Sequence, residues 1–264
     1  MSEWSAGLTL LLCAACRAFG NYDGTDTGND SAYSNIALEL HTDGAYMRDP
    51  PALQLWTCMY TASDGGGVSR YVDGLRVAER LQQTDPAAYD FFRRTPLTYH
   101  CQDEGTSLVA SGPVFEHGAD PDSAQMERMR YNDYDRLTLS HLPAEDVARF
   151  YEHRRLLASI LTDPSMELHH PLQPGTMAIV HNHRVLHGRT AFQGMRGLCG
   201  CYIGDDEFQS KLRRMASMGA STQQQLQQAA QTTDGGEDSA DDPWNLLLVE
   251  GLDVSRVPPA RLRY

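Results

Sequence analysis

The chain has 264 residues, a formal net charge of −13 and a sequence pI near 5.1. That acidic balance excludes a nucleic-acid binder or a basic protein of the membrane surface. The length suits a single domain with one sizeable core, and 13 Pro and 22 Gly among scattered apolar runs suit a β-rich fold with many turns. Cys13, Cys16, Cys58, Cys101, Cys199 and Cys201 form no secreted framework. Buried or reduced thiols in a reducing intracellular compartment are the expectation, and the C-x-x-C of Cys13 and Cys16 is weak on its own.

Residues 1–20 are an uncertain N-terminal segment. Leu8–Ala15 (LTLLLCAA) is apolar but too short for a bilayer. Glu3 stands where a signal or transit peptide needs a cation, so a buried helix or a ragged start is expected. Phe19–Tyr33 is rich in turn formers and reads as a loop. Ser34–Asp43 and Leu53–Tyr60 read as strands, separated by Pro50-Pro51. Gly65-Gly66-Gly67 is a turn and not a phosphate loop, because no Gly-Lys-Ser follows. A strand Ser69–Val72 leads to Asp73, which caps a helix with Leu75, Ala78 and Leu81 at helical spacing. Asp85-Pro86 opens another through Phe91 and Phe92.

Cys101–Asp122 lacks periodicity and reads as loops with short strands, and Arg128–Arg136 is dense in polar and aromatic residues. Leu142-Pro143 opens a helix to Leu161 that presents Val147, Phe150, Leu157, Ile160 and Leu161 to the core. A turn at Leu172–Gly175 precedes a strand Met177–Val180, an imidazole-rich loop, His187, Arg196 and a second strand. A helix from Asp206 to about Met218 closes the body, residues 21–218. Residues 219–264 hold an acidic low-complexity run from Ser221 and are expected to be disordered, with Leu246–Val249 left open to pack back.

Two imidazoles and one carboxylate can hold one face of a ferrous ion and leave the other positions open. His41 and Asp43 supply one of each. On an extended strand, residues two apart face the same side at about 6–7 Å between Cα atoms. His187 completes the set. An isolated H-x-D is common by chance, and His181, His183 and His187 form an H-x-H-x(3)-H that leaves a zinc site open.

His41-Thr42-Asp43, GG-x-S-x-x-VDG, RYN-x-YDR, NHRVLHGR, Arg196 and LCGCY together resemble the iron(II)- and 2-oxoglutarate-dependent dioxygenases, in the branch of the trimethyllysine and γ-butyrobetaine enzymes. The resemblance runs from about Asp30 to Met215. It implies a mainly β fold with flanking helices, a double-stranded β-helix of the TauD-like jelly-roll kind. It also implies His41, Asp43 and His187 as iron ligands, with 2-oxoglutarate and O2 as co-substrates and ascorbate as reductant. A diacid's far carboxylate wants the bidentate fork of an arginine. Chemistry alone leaves Arg196 and Arg189 open; the resemblance selects Arg196, with Ser69 as the supporting hydroxyl.

The implied reaction is hydroxylation of N6-trimethyllysine at C3, the entry to carnitine biosynthesis, with γ-butyrobetaine as the alternative substrate. Asp30 would meet the α-ammonium and Asn132 the carboxylate. Tyr33, Tyr202 and Tyr22 would offer faces to the quaternary ammonium, which cannot donate a hydrogen bond. Asp30, where the γ-butyrobetaine enzyme carries Asn, and LCGCY favour trimethyllysine. His181 and His183 take the places of Asp and an aromatic in the family's D-N-W-R, so the resemblance sets them beside the site. Asp133 replaces a second Asn and has no assigned role. His169-His170 reads as solvated.

The sequence also departs from the family. Few residues stand where relatives carry an N-terminal domain and further strands, and dimer contacts fall partly there; the resemblance leaves room for a homodimer. The aromatic-Gly-x-x-Trp pattern is reduced to Phe19-Gly20-Asn21-Tyr22. Each cation–π contact is worth about 0.5–2 kcal/mol, so weaker substrate binding is expected. A non-catalytic relative of the same fold is the rival expectation.

Overall fold

In this computed structural model, residues 17–19, 34–102, 105–118, 126–217 and 246–249 are described. The strands are β1 (Arg17–Phe19), β2 (Leu38–His41), β3 (Leu53–Tyr60), β4 (Ser69–Asp73), β5 (Leu97–Gln102), β6 (Ser107–Gly112), β7 (Phe115–Glu116), β8 (Arg128–Met129), β9 (Glu167–His170), β10 (Met177–His181), β11 (Val185–Arg189), β12 (Gly197–Ile203) and β13 (Leu246–Val249). The helices are α1 (Gly74–Thr84), α2 (Pro86–Arg94), α3 (Ala144–Leu161) and α4 (Asp205–Ser217). No helix among the described residues is long and apolar enough to cross a membrane.

Two antiparallel sheets carry the architecture. The five-stranded sheet runs β1-β12-β3-β10-β13 and the four-stranded sheet β2-β11-β4-β9. This is the double-stranded β-helix that the motifs implied. Successive side chains of a strand face opposite ways, and β4 shows the consequence. Tyr71 joins Cys58, Leu172, Ala178, Val180 and Val185 in one apolar cluster. Its neighbour Val72 turns the other way, with Leu40 and Leu186, onto Val77, Leu81, Phe92, Phe150 and Leu157 of the helices. Burying a Leu, Val or Phe contributes roughly 1.5–3 kcal/mol each, so this helix-backed layer fixes the four-stranded sheet firmly.

The caps follow the sequence. The Asp73 carboxylate accepts from the Leu75 amide, and that of Asp85 from the amides of Ala87 and Ala88 behind Pro86. Asp73 is fully buried and also accepts two bonds from Arg184, at 2.9 and 2.7 Å. It thereby ties the start of α1 to the turn between β10 and β11.

Two expectations change in detail. The strand expected over Ser34–Asp43 is confined to Leu38–His41, because Thr42 bonds the 131 backbone and Gly44, at φ +71°, bends the chain. The aperiodic stretch after Cys101 contains most of the β5–β6 hairpin, whose second strand is too exposed to show an alternating pattern. His169 and His170 lie on β9, paired to β4, with the His169 side chain exposed as expected. Leu246–Val249 form β13 against β10; the rest of the tail beyond Ser217, and residues 1–16 with Cys13 and Cys16, lie outside the described residues.

Candidate metal centre

β2 and β11 are neighbours in the four-stranded sheet, with His41 directly opposite His187. The register slips beyond this pair, and Gly188 permits the slip: a Cβ there would lie 2.6 Å from the Leu38 carbonyl oxygen. Asp43 reaches the two imidazoles from the turn after β2, not from the strand itself. Asn182 holds that turn. Its side-chain oxygen accepts from the Asp43 amide at 2.8 Å, and its Nδ2 donates to the carbonyls of Asp43 and Pro51 at 3.0 and 2.9 Å. Thr42, between the two residues, exchanges bonds with the backbone of Tyr131.

His41 Nε2 lies 3.3 Å from Asp43 Oδ1, and His187 Nε2 lies 3.4 Å from Asp43 Oδ2. The imidazole centroids are 4.5 Å apart. One donor atom from each residue falls within 4.8 Å of the others, and among the described residues these three form the one His/Cys/Asp/Glu group that meets this condition. His41 Nδ1 donates to the Glu39 carbonyl at 2.7 Å, which leaves Nε2 of the neutral ring free of hydrogen, as a metal ligand requires. His187 has the Val185 backbone and the Gln54 amide as partners.

The electrostatics suit a cation. Burial pushes the Asp43 carboxyl up, but the His187 and His41 imidazoles beside it prevail and hold it well below the usual carboxylate range. For His41, burial is outweighed by Asp43 and by the Glu39 carbonyl, so its pKa rises. For His187, burial prevails over Asp43 and its pKa falls. The result is an ionised carboxylate between two rings, one of which burial keeps neutral.

The triad opens into a cavity between the sheets lined also by Gln54, Trp56, Ser69, Tyr71, Arg189, Arg196 and Tyr202. Arg196 is buried at 9% exposure, and no carboxylate among the described residues pairs with it. Burial lowers its pKa, as expected for a guanidinium lacking an anion. The Gly-Gly-Gly turn makes room for it: at Gly67, φ +71°, a Cβ would stand 2.6 Å from Arg196 Cδ. Arg189 instead donates to the Ser34 carbonyl, and its guanidinium lies 5.2 Å from the Phe192 ring centroid.

The structure thus brings together His41, Asp43, His187, Ser69, Arg196 and Tyr202. Tyr202 arrives with its hydroxyl donating to Asp43 Oδ2 at 2.8 Å. Asn132 is not brought to this cavity. Its amide donates to Asp135 at 2.7 Å and accepts from the Tyr134 amide, closing its own turn. Asp133 pairs with Arg136 and Arg154 and so anchors that turn to α3. Asp30, Tyr33 and Tyr22 lie outside the described residues.

The zinc alternative is not supported by the geometry. His183 Nε2 donates to the Pro50 carbonyl at 2.9 Å, and His181 packs on Phe208. Both rings line a different cleft from His187. Sequence reading passed over Gln54, Trp56 and Asn182. A glutamine near the start of the apolar strand LQLWTCMY, on the face shared with the tryptophan, was the available signal for the first two.

The strands and the site define a jelly roll with a two-histidine-one-carboxylate centre of the non-haem iron(II) oxygenase kind. The profile of the family described as "Taurine catabolism dioxygenase TauD, TfdA family" matches residues 17–202, and the chain belongs to that family. It is 35% identical over 182 residues to the human mitochondrial trimethyllysine dioxygenase, covering 67% of this chain and 42% of that protein. It is 29% identical over 187 residues to the γ-butyrobetaine dioxygenase of Pseudomonas sp. strain AK-1, covering 70% and 48%. The chain therefore spans less than half the length of these relatives. Among solved structures, an asparagine oxygenase in complex with Fe(II), hydroxyasparagine and succinate superposes with a TM-score of 0.55 at 20% identity, over 72% of this chain and 56% of that one, a likeness of fold.

Proposed function

We propose that this chain carries the catalytic domain of an iron(II)- and 2-oxoglutarate-dependent dioxygenase that hydroxylates N6-trimethyllysine at C3, the first step of carnitine biosynthesis. One observation supports this above the rest: a two-histidine-one-carboxylate set and a buried arginine that pairs with no carboxylate among the described residues line the same cavity. His41, Asp43 and His187 would hold the iron. Arg196, with the Ser69 hydroxyl, would take the far carboxylate of 2-oxoglutarate. Iron(II) with 2-oxoglutarate and O2 supplies the oxidising chemistry, and ascorbate serves as the reductant that maintains it.

The protein's own residues do the rest. The hydroxyl of Tyr202 holds one oxygen of Asp43 and would so orient the carboxylate that is to hold the metal. Leu172, Val180 and Leu198 line the cavity with apolar surface, which would favour a water-poor site. On the substrate side, Asp30 is proposed for the α-ammonium, with the faces of Tyr33 and Tyr202 for the quaternary ammonium. Asn132 remains in the proposal only if substrate binding releases its amide from Asp135. An intracellular site of action, mitochondrial or cytoplasmic, and a homodimeric assembly belong to the same proposal.

The test is succinate release coupled to N6-trimethyllysine, with γ-butyrobetaine in parallel. Turnover with trimethyllysine that disappears in His41→Ala supports the reading. Preference for γ-butyrobetaine moves the chain to the sibling reaction. Iron binding without turnover on either substrate makes it a non-catalytic member of the family.

A further inference from the structure

Arg196 and Ser69 share their part of the cavity with a third polar side chain, that of Tyr71. Exposures of 9%, 6% and 3% make all three buried. Ser69 and Tyr71 are two apart on β4, so both face inward, at about 6–7 Å between Cα atoms. The Ser69 hydroxyl is the hydrogen-bonding neighbour of the Tyr71 hydroxyl, and the Arg196 charge acts on it as well. Phe192 flanks the guanidinium, which lies 5.9 Å from the ring centroid. Among the described residues, none of the three donates to a backbone carbonyl or a carboxylate.

A set of buried donors that meets no acceptor of the protein suits an anion. An arginine fork takes both oxygens of a carboxylate, and neutral hydroxyls add direction. Two bonded hydroxyls hold two hydrogens. One is spent between them and the other is left for the anion, whichever of the pair points outward. The Tyr71 ring is held ready for this, packed among Cys58, Leu172, Ala178, Val180 and Val185. Little rotamer freedom therefore remains to be lost on binding. Its backbone lies directly opposite His187, so the sheet ladder sets the place of the hydroxyls relative to a proposed iron ligand. Packing alone needs no phenol. A phenylalanine would fill the same cluster without the cost of burying a hydroxyl.

We infer that Tyr71 is a third co-substrate-binding residue: its hydroxyl, paired with that of Ser69, gives the far carboxylate of the 2-oxo diacid a donor beside Arg196. This deepens the role proposed for Arg196 and Ser69 and rests on it.

The experiment uses the full chain with Co(II) in the metal site and reads ligand binding, not turnover. Calorimetry gives the Kd of 2-oxoglutarate and of 2-oxopentanoate, which has the same 2-oxo acid end and no far carboxylate. The proteins are the unsubstituted chain, Tyr71→Phe, Ser69→Ala and the double variant. Tyr71→Phe keeps the ring and removes the hydroxyl. It should raise the Kd of 2-oxoglutarate about 10-fold, the lower end for a hydrogen bond to a charged group. The Kd of 2-oxopentanoate and the thermal midpoint of the ligand-free protein should stay in place. The double variant should be little worse than the poorer single one, because the two hydroxyls share one outward hydrogen. In the unsubstituted chain 2-oxoglutarate, and not 2-oxopentanoate, should produce a tyrosine difference spectrum in the near ultraviolet. An unchanged Kd for 2-oxoglutarate in Tyr71→Phe, or an equal loss for both ligands, overturns the role of Tyr71. Should that variant not fold, absence of the difference spectrum overturns it instead. An unsubstituted chain that binds the two ligands equally, or neither, strikes the proposed seat at Arg196 itself.

Discussion

The segment His181–Arg189 holds three imidazoles, and its two halves use them in opposite ways. In the turn His181-Asn182-His183-Arg184 the polar groups are engaged in holding the fold: Asn182 grips the Asp43 turn, His183 bonds the Pro50 carbonyl and Arg184 bonds Asp73. In the strand that follows, His187 faces a second imidazole and a carboxylate across the sheet. What separates a metal centre from a merely histidine-rich turn here is the carboxylate. Among the described residues Asp43 has no arginine against it, and it stays ionised between two rings. Burial lowers the pKa of both imidazoles of the turn and outweighs Asp205, which acts on both, and Asp49, which acts on His183; among the described residues neither acid comes within ion-pair distance of these rings.

The turn's role is tested most severely at Asp73. This fully buried carboxylate accepts from Arg184 and caps α1. Asp73→Ala should cost about 3–5 kcal/mol, the usual loss when one partner of a buried pair is removed. A fall in the urea midpoint without a change in slope is the expected record. The strand's role is tested at Asp43. Asp43→Ala should weaken Co(II) or Fe(II) binding by more than about 100-fold, beyond the range of residues that merely orient ligands. His181→Asn and His183→Gln should leave metal affinity unchanged by calorimetric titration. Metal uptake that depends on His183 and not on Asp43 would reverse the comparison.

Asn182 belongs to both halves, structural by its bonds and close to the chemistry by their target. Asn182→Ala leaves the Asp43 amide without its side-chain acceptor, which should cost about 1–3 kcal/mol in stability. It should also weaken Co(II) binding roughly 10-fold, because the Asp43 turn is no longer held. Retained affinity with the same loss of stability would mean that Asp43 holds its place without Asn182.

The comparison also shows where sequence reasoning reaches and where it stops. Caps such as Asp73 and Asp85-Pro86 act within two or three residues, so spacing alone reveals them. His41, Asp43 and His187 were legible because family motifs carried them, although the strand argument placed Asp43 on β2 when it sits in a turn. Arg196 was distinguished from Arg189 by resemblance. A difference between their surroundings appears only in three dimensions, where Arg189 bonds the Ser34 carbonyl and Arg196 lies buried beside Gly67. Gln54, Trp56 and Asn182 act across 133, 144 or 139 positions, on partners that only the sheet pairing brings near. The conspicuous imidazoles of His181 and His183 drew attention from the asparagine between them.

A third imidazole–carboxylate contact offers the mildest test. On β9, His169 Nε2 lies 2.9 Å from Glu167 Oε1, but Arg70 already bonds both oxygens of that carboxylate. Burial pushes Glu167 up; Arg70, with help from His169, outweighs it and holds the carboxyl below its usual value. A carboxylate depressed in the folded state stabilises the protein above its unfolded pKa, about 4.3, and loses that contribution as pH falls through the folded value. Glu167→Gln should therefore be less stable by about 1.5–2 kcal/mol at neutral pH, the low end of the range for a hydrogen bond to a charged group. The deficit should close progressively below about pH 4. Urea unfolding of both proteins at neutral and acid pH reads this directly, and Co(II) affinity should not change. An arginine-neutralised acid beside a histidine is then a structural pair. A deficit that persists undiminished in acid would show that Glu167 stabilises through packing and not through its charge.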